Sequence, residues 1–508
     1  MLMSSCKYSF IALRRASSSA VASTSSKSSS SSSSRNVTES TSRSGSHGVP
    51  QKINLPKESV TVTKLANGLT VASLENNSPV FRVAAVVQAG AKYEPYESRG
   101  VTTLLRVFSN LSTKYVSRLG LTKNLERLGA NFQCIQTREQ MIYSIEGLRN
   151  EFTHGSQFLV PVVCYPMFKP HEIHDERERL ELDHELYLKS PESRILFYLI
   201  NLLFEKSFLE LNDLLHAAAF KGGLSRPLSL SSDSIKSLSH KQMYTFHSHY
   251  YTPERISLVG TGCNHATLVQ LADKFRFSPL DCVYTPGFGN LKLIESEPEP
   301  SKYKGGEIRR DTQSNTVHIA LAFEGVSSKD EQGVLTSSLL NQIIGTGPNV
   351  KWSSGSNQLQ RAAESAAQAS CLVSSFNLHY EESGLFGVYI ICNKNDTKKI
   401  VQSVSTEFNK ILKNGINKEQ FDMAKKKLEV NLQMRHEQSS DVFSTMLNQA
   451  DISDRSTDIQ SIVQQLGDKQ FTNDSINQLT KKMSSGKQPT LVSIGNLQNM
   501  PYIDDLKA

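Results

Sequence analysis

Enzymatic chemistry needs titratable side chains brought together, and this sequence of 508 residues offers few candidate groups. The most suggestive is His171-Glu-Ile-His174, with His184 downstream in an acid-rich stretch. Residues at i and i+3 share a helix face, so two imidazoles there could approach one metal ion. The spacing is not that of H-E-x-x-H, where the histidines lie four apart and the Glu between them activates water. The neighbouring Asp175-Glu-Arg-Glu-Arg-Leu-Glu-Leu-Asp pairs opposite charges at i, i+3 and i, i+4, which is how a solvated helix is stabilised. A charged helix face is therefore expected here, and His247-Ser-His249 is expected along a helix end or surface. Gly345-Thr-Gly-Pro-Asn lacks the G-K-[ST] ending in which Lys and hydroxyl meet phosphate and magnesium, so it is not read as a nucleotide loop. The seven cysteines, Cys6, Cys134, Cys164, Cys263, Cys282, Cys371 and Cys392, contain no C-x-x-C pair. They support neither a disulfide framework nor a cysteine zinc site, and fit buried thiols in a reducing compartment.

The elements that would position these groups fall into a pattern. Residues 1–50 carry Lys7, Arg14, Arg15, Lys27, Arg35 and Arg43 against the single acid Glu39, and are rich in serine. Arg-rich, Ser-rich, acid-poor composition is that of a mitochondrial transit peptide, because a cationic leader is drawn toward the negative matrix. A Ser-rich disordered tail without a targeting role is the other reading of this composition. No run of 7 to 15 apolar residues follows the early cations, as a secretory signal would require. Removing the leader's six basic and one acidic residues from the formal +7 leaves the rest near +2, so no nucleic-acid footprint is indicated. No run of 18 apolar residues exists, so membrane association would be peripheral and through partners. The Asn36-Val-Thr sequon is discounted because it falls in the leader.

Beyond the leader, Val80 to Ala89 reads as an apolar β-branched strand, Gly100 to Asn110 opens a helix, and Phe132 to Glu146 alternates as a hairpin. The order returns as strand Val317 to Phe323, helix Gln332 to Ile344 and hairpin Phe376 to Ile390, the second hairpin starting 244 residues after the first. Helical patterns also fill Phe168 to Lys189, Arg194 to Glu205 and Lys418 to Ser439. Between the repeats, residues 291–306 hold Glu295-Ser-Glu-Pro-Glu-Pro and Lys304-Gly-Gly, a polar Pro-rich linker. The expectation is an α+β duplication: a lobe over 51–290, a linker over 291–306 and a lobe over 307–508, each a mostly antiparallel sheet covered by helices.

Several segments resemble the pitrilysin superfamily of inverted zinc peptidases: Leu65-Ala-Asn-Gly-Leu-Thr-Val, the Ala89-Gly-Ala turn, Leu215-His-Ala-Ala-Ala-Phe and Tyr250-Tyr-Thr-Pro-Glu-Arg. Within it the sequence is most similar to the core-protein-2 branch of the ubiquinol cytochrome c reductases. That similarity runs through Gly100-Val-Thr-Thr-Leu-Leu-Arg, Thr137-Arg-Glu-Gln-Met, Tyr303-Lys-Gly-Gly-Glu-Ile-Arg, Gly347-Pro-Asn-Val-Lys and Ser383-Gly-Leu-Phe-Gly. Active members place H-x-x-E-H on the first helix. By that resemblance Thr103 and Val107 stand at the histidine positions and Arg106 at the general-base position, so no catalytic, cofactor or metal site is expected. Arg106 would repel a divalent ion by about 8 kcal/mol at roughly 4 Å and an effective dielectric near 20. The family's remaining acidic ligand would fall near Glu181, Leu182 or Asp183.

The resemblance further implies a non-catalytic structural subunit of respiratory complex III, on the matrix side of the mitochondrial inner membrane. Its implied partners are core protein 1, cytochrome b, cytochrome c1 and the Rieske subunit. The rival is a presequence-binding alpha-type subunit of a mitochondrial processing peptidase. Against that rival, the loop from Ile344 to Gly355 is short and holds Lys351, Trp352 and Ser353 between its glycines. An enzyme with zinc near His171 and His174 is the third reading, and a leader peptide retained between the lobes is a further possibility.

Overall fold

The computed structural model describes residues 60–189, 210–229, 232–275, 300–345, 357–449, 462–463, 465–466, 473–484 and 488–506. The leader 1–50, the helix expected at Arg194 to Glu205, positions 291–299 of the expected linker and the loop at 346–355 lie outside the described residues.

In the first half the strands are β1 (Val60–Lys64), β2 (Thr70–Leu74), β3 (Val80–Val87), β4 (Asn131–Gln136) and β5 (Met141–Leu148). The short β6 (Phe220–Lys221) and then β7 (Ile256–Thr261) follow. The second half supplies β8 (Lys302–Tyr303), β9 (Gly306–Asp311), β10 (Thr316–Gly325), β11 (Leu372–His379), β12 (Gly384–Asn393) and β13 (Thr490–Gly495). One sheet runs β1-β2-β7-β3-β5-β4, the other β11-β12-β10-β13-β9. In both, the central strand pairs antiparallel with a hairpin on one side and with the last strand of its half on the other. The second strand of each half then adds parallel to that last strand, β2 on β7 and β9 on β13. This is the duplication that the repeated order of elements implies, with one parallel pair in each otherwise antiparallel sheet.

Each sheet is buried on both faces, which is why its central strands are near-continuous apolar runs instead of alternating ones. In the first sheet, Val71, Phe81, Val83, Met141, Ile145 and Leu258 point into the core under the half's own helices. On its opposite face Ala72, Leu74, Ala84, Val86, Ile142 and Val259 meet Val442, Phe443, Met446 and Leu447. Those four belong to helix Ser439–Gln449, which comes from the second half of the chain. The second sheet mirrors this arrangement. Val317, Ile319, Phe386, Val388 and Leu491 face its own helices. Ala320, Ala322, Leu385, Val492 and Ile494 receive Leu211, Leu215 and Ala219, from the helix at 210–219 in the first half. Each half thus lends one helix to roof the other's sheet. Arg82 on β3 fixes one roof in register, donating to Ser439 Oγ at 2.7 Å while pairing with Glu146.

The described end of the expected linker packs against both halves. Tyr303 is buried and its hydroxyl reaches Gln488 O and Thr490 Oγ1, both at 3.0 Å, while β8 pairs with β6. Gly305 sits at φ +75, where a Cβ would lie 2.0 Å from Gln488 O, so the doubled glycine after Lys304 answers a close backbone approach. Glu307 and Arg309 then clamp the C-terminal segment. Arg309 stacks 3.8 Å over the Tyr502 ring and bonds Pro501 O, and Glu307 accepts from Ile503 N.

Candidate functional site

Helix Val101–Val107 begins at Gly100, whose left-handed conformation leaves no capping side chain of its own. The buried carboxylate of Glu94 takes that role, accepting from Gly100 N at 2.8 Å, Thr102 N at 2.9 Å and the Thr102 hydroxyl. Orphan amides at a helix start favour an anion there. Burial nevertheless lifts the Glu94 carboxyl above its usual range, against the pull of those bonds and of Arg226. The helix ends after seven residues and passes into a 3-10 turn at Phe108–Asn110.

On this helix Thr103 is buried and its hydroxyl donates to Leu228 O at 3.1 Å. Val107 packs against the first core, and Arg106 is exposed. Zinc is held by imidazole nitrogen, thiolate or carboxylate. A hydroxyl already donating to a carbonyl, a pair of methyls and an outward cation supply none of these, so the residues present do not fit the metal that the H-x-x-E-H helix would carry. Glu94, the acid at the helix start, is committed to backbone amides. Of the acidic position expected near 181–183, Glu181 is half-buried, and the side chains of Leu182 and Asp183 lie outside the described ones. Cys134 on the neighbouring strand β4 is no nucleophile: burial pushes its thiol up to about 12.

The segment capping the helix is fixed from several directions. Asp213 accepts from Leu228 N and from the Ser229 amide and hydroxyl at 2.8 to 3.1 Å, and also holds buried Arg138 at 2.7 Å. Arg226 donates to Lys92 O at 2.9 Å. The Thr103 hydroxyl thus ties residues 226–229 to the helix.

Beside it the two hairpin turns, 137–140 of the first half and 380–383 of the second, come together. Lys92, almost wholly buried, reaches Glu382 at 3.0 Å, Glu381 at 3.4 Å and Glu139 at 3.7 Å. Burial alone would lower its pKa, but the Glu382 hydrogen bond and the Glu139 charge outweigh it and leave the ammonium above its ordinary value. Glu381 N donates to Glu139 Oε1 at 3.0 Å, and Lys329 adds a second cation to Glu381. His216 donates from Nδ1 to Asn212 O, leaving Nε2 to accept from the Tyr380 hydroxyl, each at 2.7 Å. Full burial holds its pKa well below the ordinary range, so the ring is neutral. The sequence reading missed this junction as a site, although Lys92 follows the Ala89-Gly-Ala turn and Arg138, His216 and Ser383 stand inside quoted motifs.

The other sequence candidates stay apart from it. His171 and His174 are exposed on helix Pro170–Lys189. His174 lies 3.7 Å from Glu178, and Glu172 turns back to accept from Ser112 N and Oγ, so that helix is the charged face expected. The side chain of His184 lies outside the described ones. His247 lies in helix His240–Tyr250, donates to Val163 O at 2.8 Å and stacks on Tyr251, with burial lowering its pKa to about 4. It stands in the last turn of its helix, the helix end expected, and is buried there as a core histidine. Among the described residues no three His, Cys, Asp or Glu side chains group around a possible metal position, and no helix is long and apolar enough to cross a membrane.

Residues 70–229 match the family model of Insulinase (Peptidase family M16), and residues 237–428 the model described as Peptidase M16 inactive domain. Cytochrome b-c1 complex subunit 2, mitochondrial, of Homo sapiens is 30% identical over 446 residues, covering 87% of this chain and 91% of that protein. Its Rattus norvegicus counterpart is 28% identical over 92% of this chain and 96% of that protein. A probable mitochondrial-processing peptidase subunit alpha-2 of Arabidopsis thaliana is 25% identical over 98% and 96%. The chain belongs to the peptidase M16 family, in the branch of the cytochrome b-c1 complex subunit 2 proteins.

Proposed function

We propose that this chain is a non-catalytic core subunit 2 of mitochondrial respiratory complex III, imported by its 1–50 leader and seated peripherally on the matrix face of the inner membrane. In this reading the lobes at 51–290 and 307–508, joined through 291–306, pair with core protein 1 and support cytochrome b, cytochrome c1 and the Rieske subunit. The carrying observation is Thr103: its bond to Leu228 O, with Val107 in the core and Arg106 in solvent, turns the helix that bears H-x-x-E-H in active peptidases into packing surface. Thr103, Arg106 and Val107 are the degenerate positions of that motif. Similarity to proteins named for the b-c1 complex supports the assembly over the peptidase.

The test is mild detergent extraction of mitochondria, native separation and identification of what comigrates with this chain, with zinc measured on chelator-free material. Comigration with cytochrome b and cytochrome c1, and zinc far below one per chain, is the expected result. A heterodimer with a zinc-bearing homologue, free of cytochromes, would overturn it in favour of a presequence-binding peptidase subunit.

A further inference from the structure

Outside the junction the described surface carries two groups of exposed apolar side chains: Met423, Val430 and Met434 along helix Lys418–Glu437, where exposed Glu419 and Glu437 accompany Lys426, and a second group set among cations. Tyr115 and Leu119 are 64% and 77% exposed and Met167 is 40% exposed. One short turn holds them together: Thr113 bridges Pro166, Lys114 N donates to Tyr165 O, and Met167 N donates to Ser112 O. Tyr115 and Tyr165 meet edge to face at 5.3 Å, with Lys114 Nζ about as far from each ring, at 5.9 and 6.0 Å. Leu119 stands in the first turn of helix Arg118–Arg127, and Lys123 lies one turn further on the same exposed face. Lys169 borders the patch at Met167, and Arg127 closes the helix.

Acids nearby are few or turned away. Glu126 is exposed on the helix, whereas Glu172 accepts from Ser112 while lying 3.9 Å from Lys169, and Glu176 is buried against Arg118. Large apolar side chains projecting into water within a ring of lysines require a covering surface that is apolar inside and anionic at its rim. The chain's own leader is cationic and cannot supply that. Lysine is depleted at specific protein interfaces, where its flexible stem must be ordered. An anionic lipid surface attracts the ammonium groups without fixing them and accepts tyrosine, leucine and methionine at headgroup depth.

We infer that Tyr115, Leu119 and Met167, ringed by Lys114, Lys123 and Lys169, form a contact site for the headgroup region of an anionic phospholipid membrane. The site deepens the peripheral placement proposed above and rests on it, but its test does not involve the other subunits.

Benzoylphenylalanine is placed at Leu119, or at exposed Met434 as a control, in the full chain. The protein is then irradiated with phosphatidylcholine vesicles with or without phosphatidylglycerol. The expected result is a lipid adduct at position 119 with the anionic vesicles only, suppressed by added salt. Little adduct is expected at 434, whose leader is the same, so leader binding does not mimic the effect. Lys114→Gln with Lys123→Gln should lower the adduct yield about twenty-five-fold, each cation contributing roughly fivefold. Equal labelling at 119 and 434, no adduct at 119, or a yield unchanged in the double variant overturns the site. So does irradiation of intact mitochondria that joins position 119 to a protein and not to lipid. Comigration with the cytochromes could survive each of these failures.

Discussion

Truncating Phe443 to alanine tests whether the exchanged roofing helices make the two halves one cooperative structure. The ring is 5% exposed on helix Ser439–Gln449, against the first sheet's outer face. Ala72 and Ala84 opposite are too small to fill a void. The cost therefore lies within the usual range for Phe→Ala in a core, about 4 kcal/mol. Loosening this helix also pulls on the second half, where the chain leaves it, so the loss should be shared. At about 1.4 kcal/mol per tenfold, amide exchange through unfolding should speed roughly a thousandfold. Hydrogen exchange read by mass spectrometry would resolve it strand by strand. The expectation is that β3 and β5 accelerate together with β10 and β12, although no residue of the second sheet was altered. Acceleration confined to the first sheet would refute the argument, because it would mean that the two sheets open independently.

Lys92→Met should destabilise the chain by about 2 to 3 kcal/mol, below the range for a fully buried pair because Glu381 and Glu382 keep some water contact. Adding Glu382→Gln should restore part of that in a urea titration, and full additivity would sink the idea of a shared charge cluster. Thr103→Val should cost about 1 to 2 kcal/mol by leaving Leu228 O without its donor, with faster proteolytic nicking at 226–229 as the readout. His247, whose folded pKa of about 4 lies below its ordinary 6.5, holds stability that is present above pH 6.5 and lost as pH falls toward 4. That amounts to about 3 kcal/mol. Urea midpoints of the native chain and of His247→Phe should therefore converge as the pH is lowered, and parallel lines would contradict this. Gly90→Ala should prevent stable folding or cost several kcal/mol, because its Cβ would come within 2.5 Å of the Arg138 and Glu139 backbone; an unchanged melting temperature would show that the turn can shift.

Much of the fold is legible in the sequence because it is local. The apolar run at Val80–Val87, the hairpins and their return in the second half each report on a few neighbouring residues. That Thr103, Arg106 and Val107 offer no metal ligand can also be read, since a hydroxyl, a guanidinium and two methyls are poor metal donors whatever surrounds them. Which sheet a helix covers cannot be read in this way. The stripe of Leu211, Leu215 and Ala219 says that the helix is buried, and nothing in its period says that the partner lies in the other half. The same holds for Lys92, an ordinary lysine until Glu381 and Glu382 arrive from 289 and 290 positions away. His247 stands at the helix end expected, but its burial and its donation to Val163 O depend on helix-to-helix packing that no local pattern encodes.

The exchange of helices has a meaning for descent. Two identical chains that each lay a helix across the other's sheet form a symmetric swapped dimer, and joining them end to end yields the arrangement seen here. Neither half, cut free, would hold a complete set of layers: the first sheet would lose the helix at 439–449 and the second the helix at 210–219. A separated half would expose a broad apolar sheet face, and the surface that best covers that face is the missing helix of a second copy.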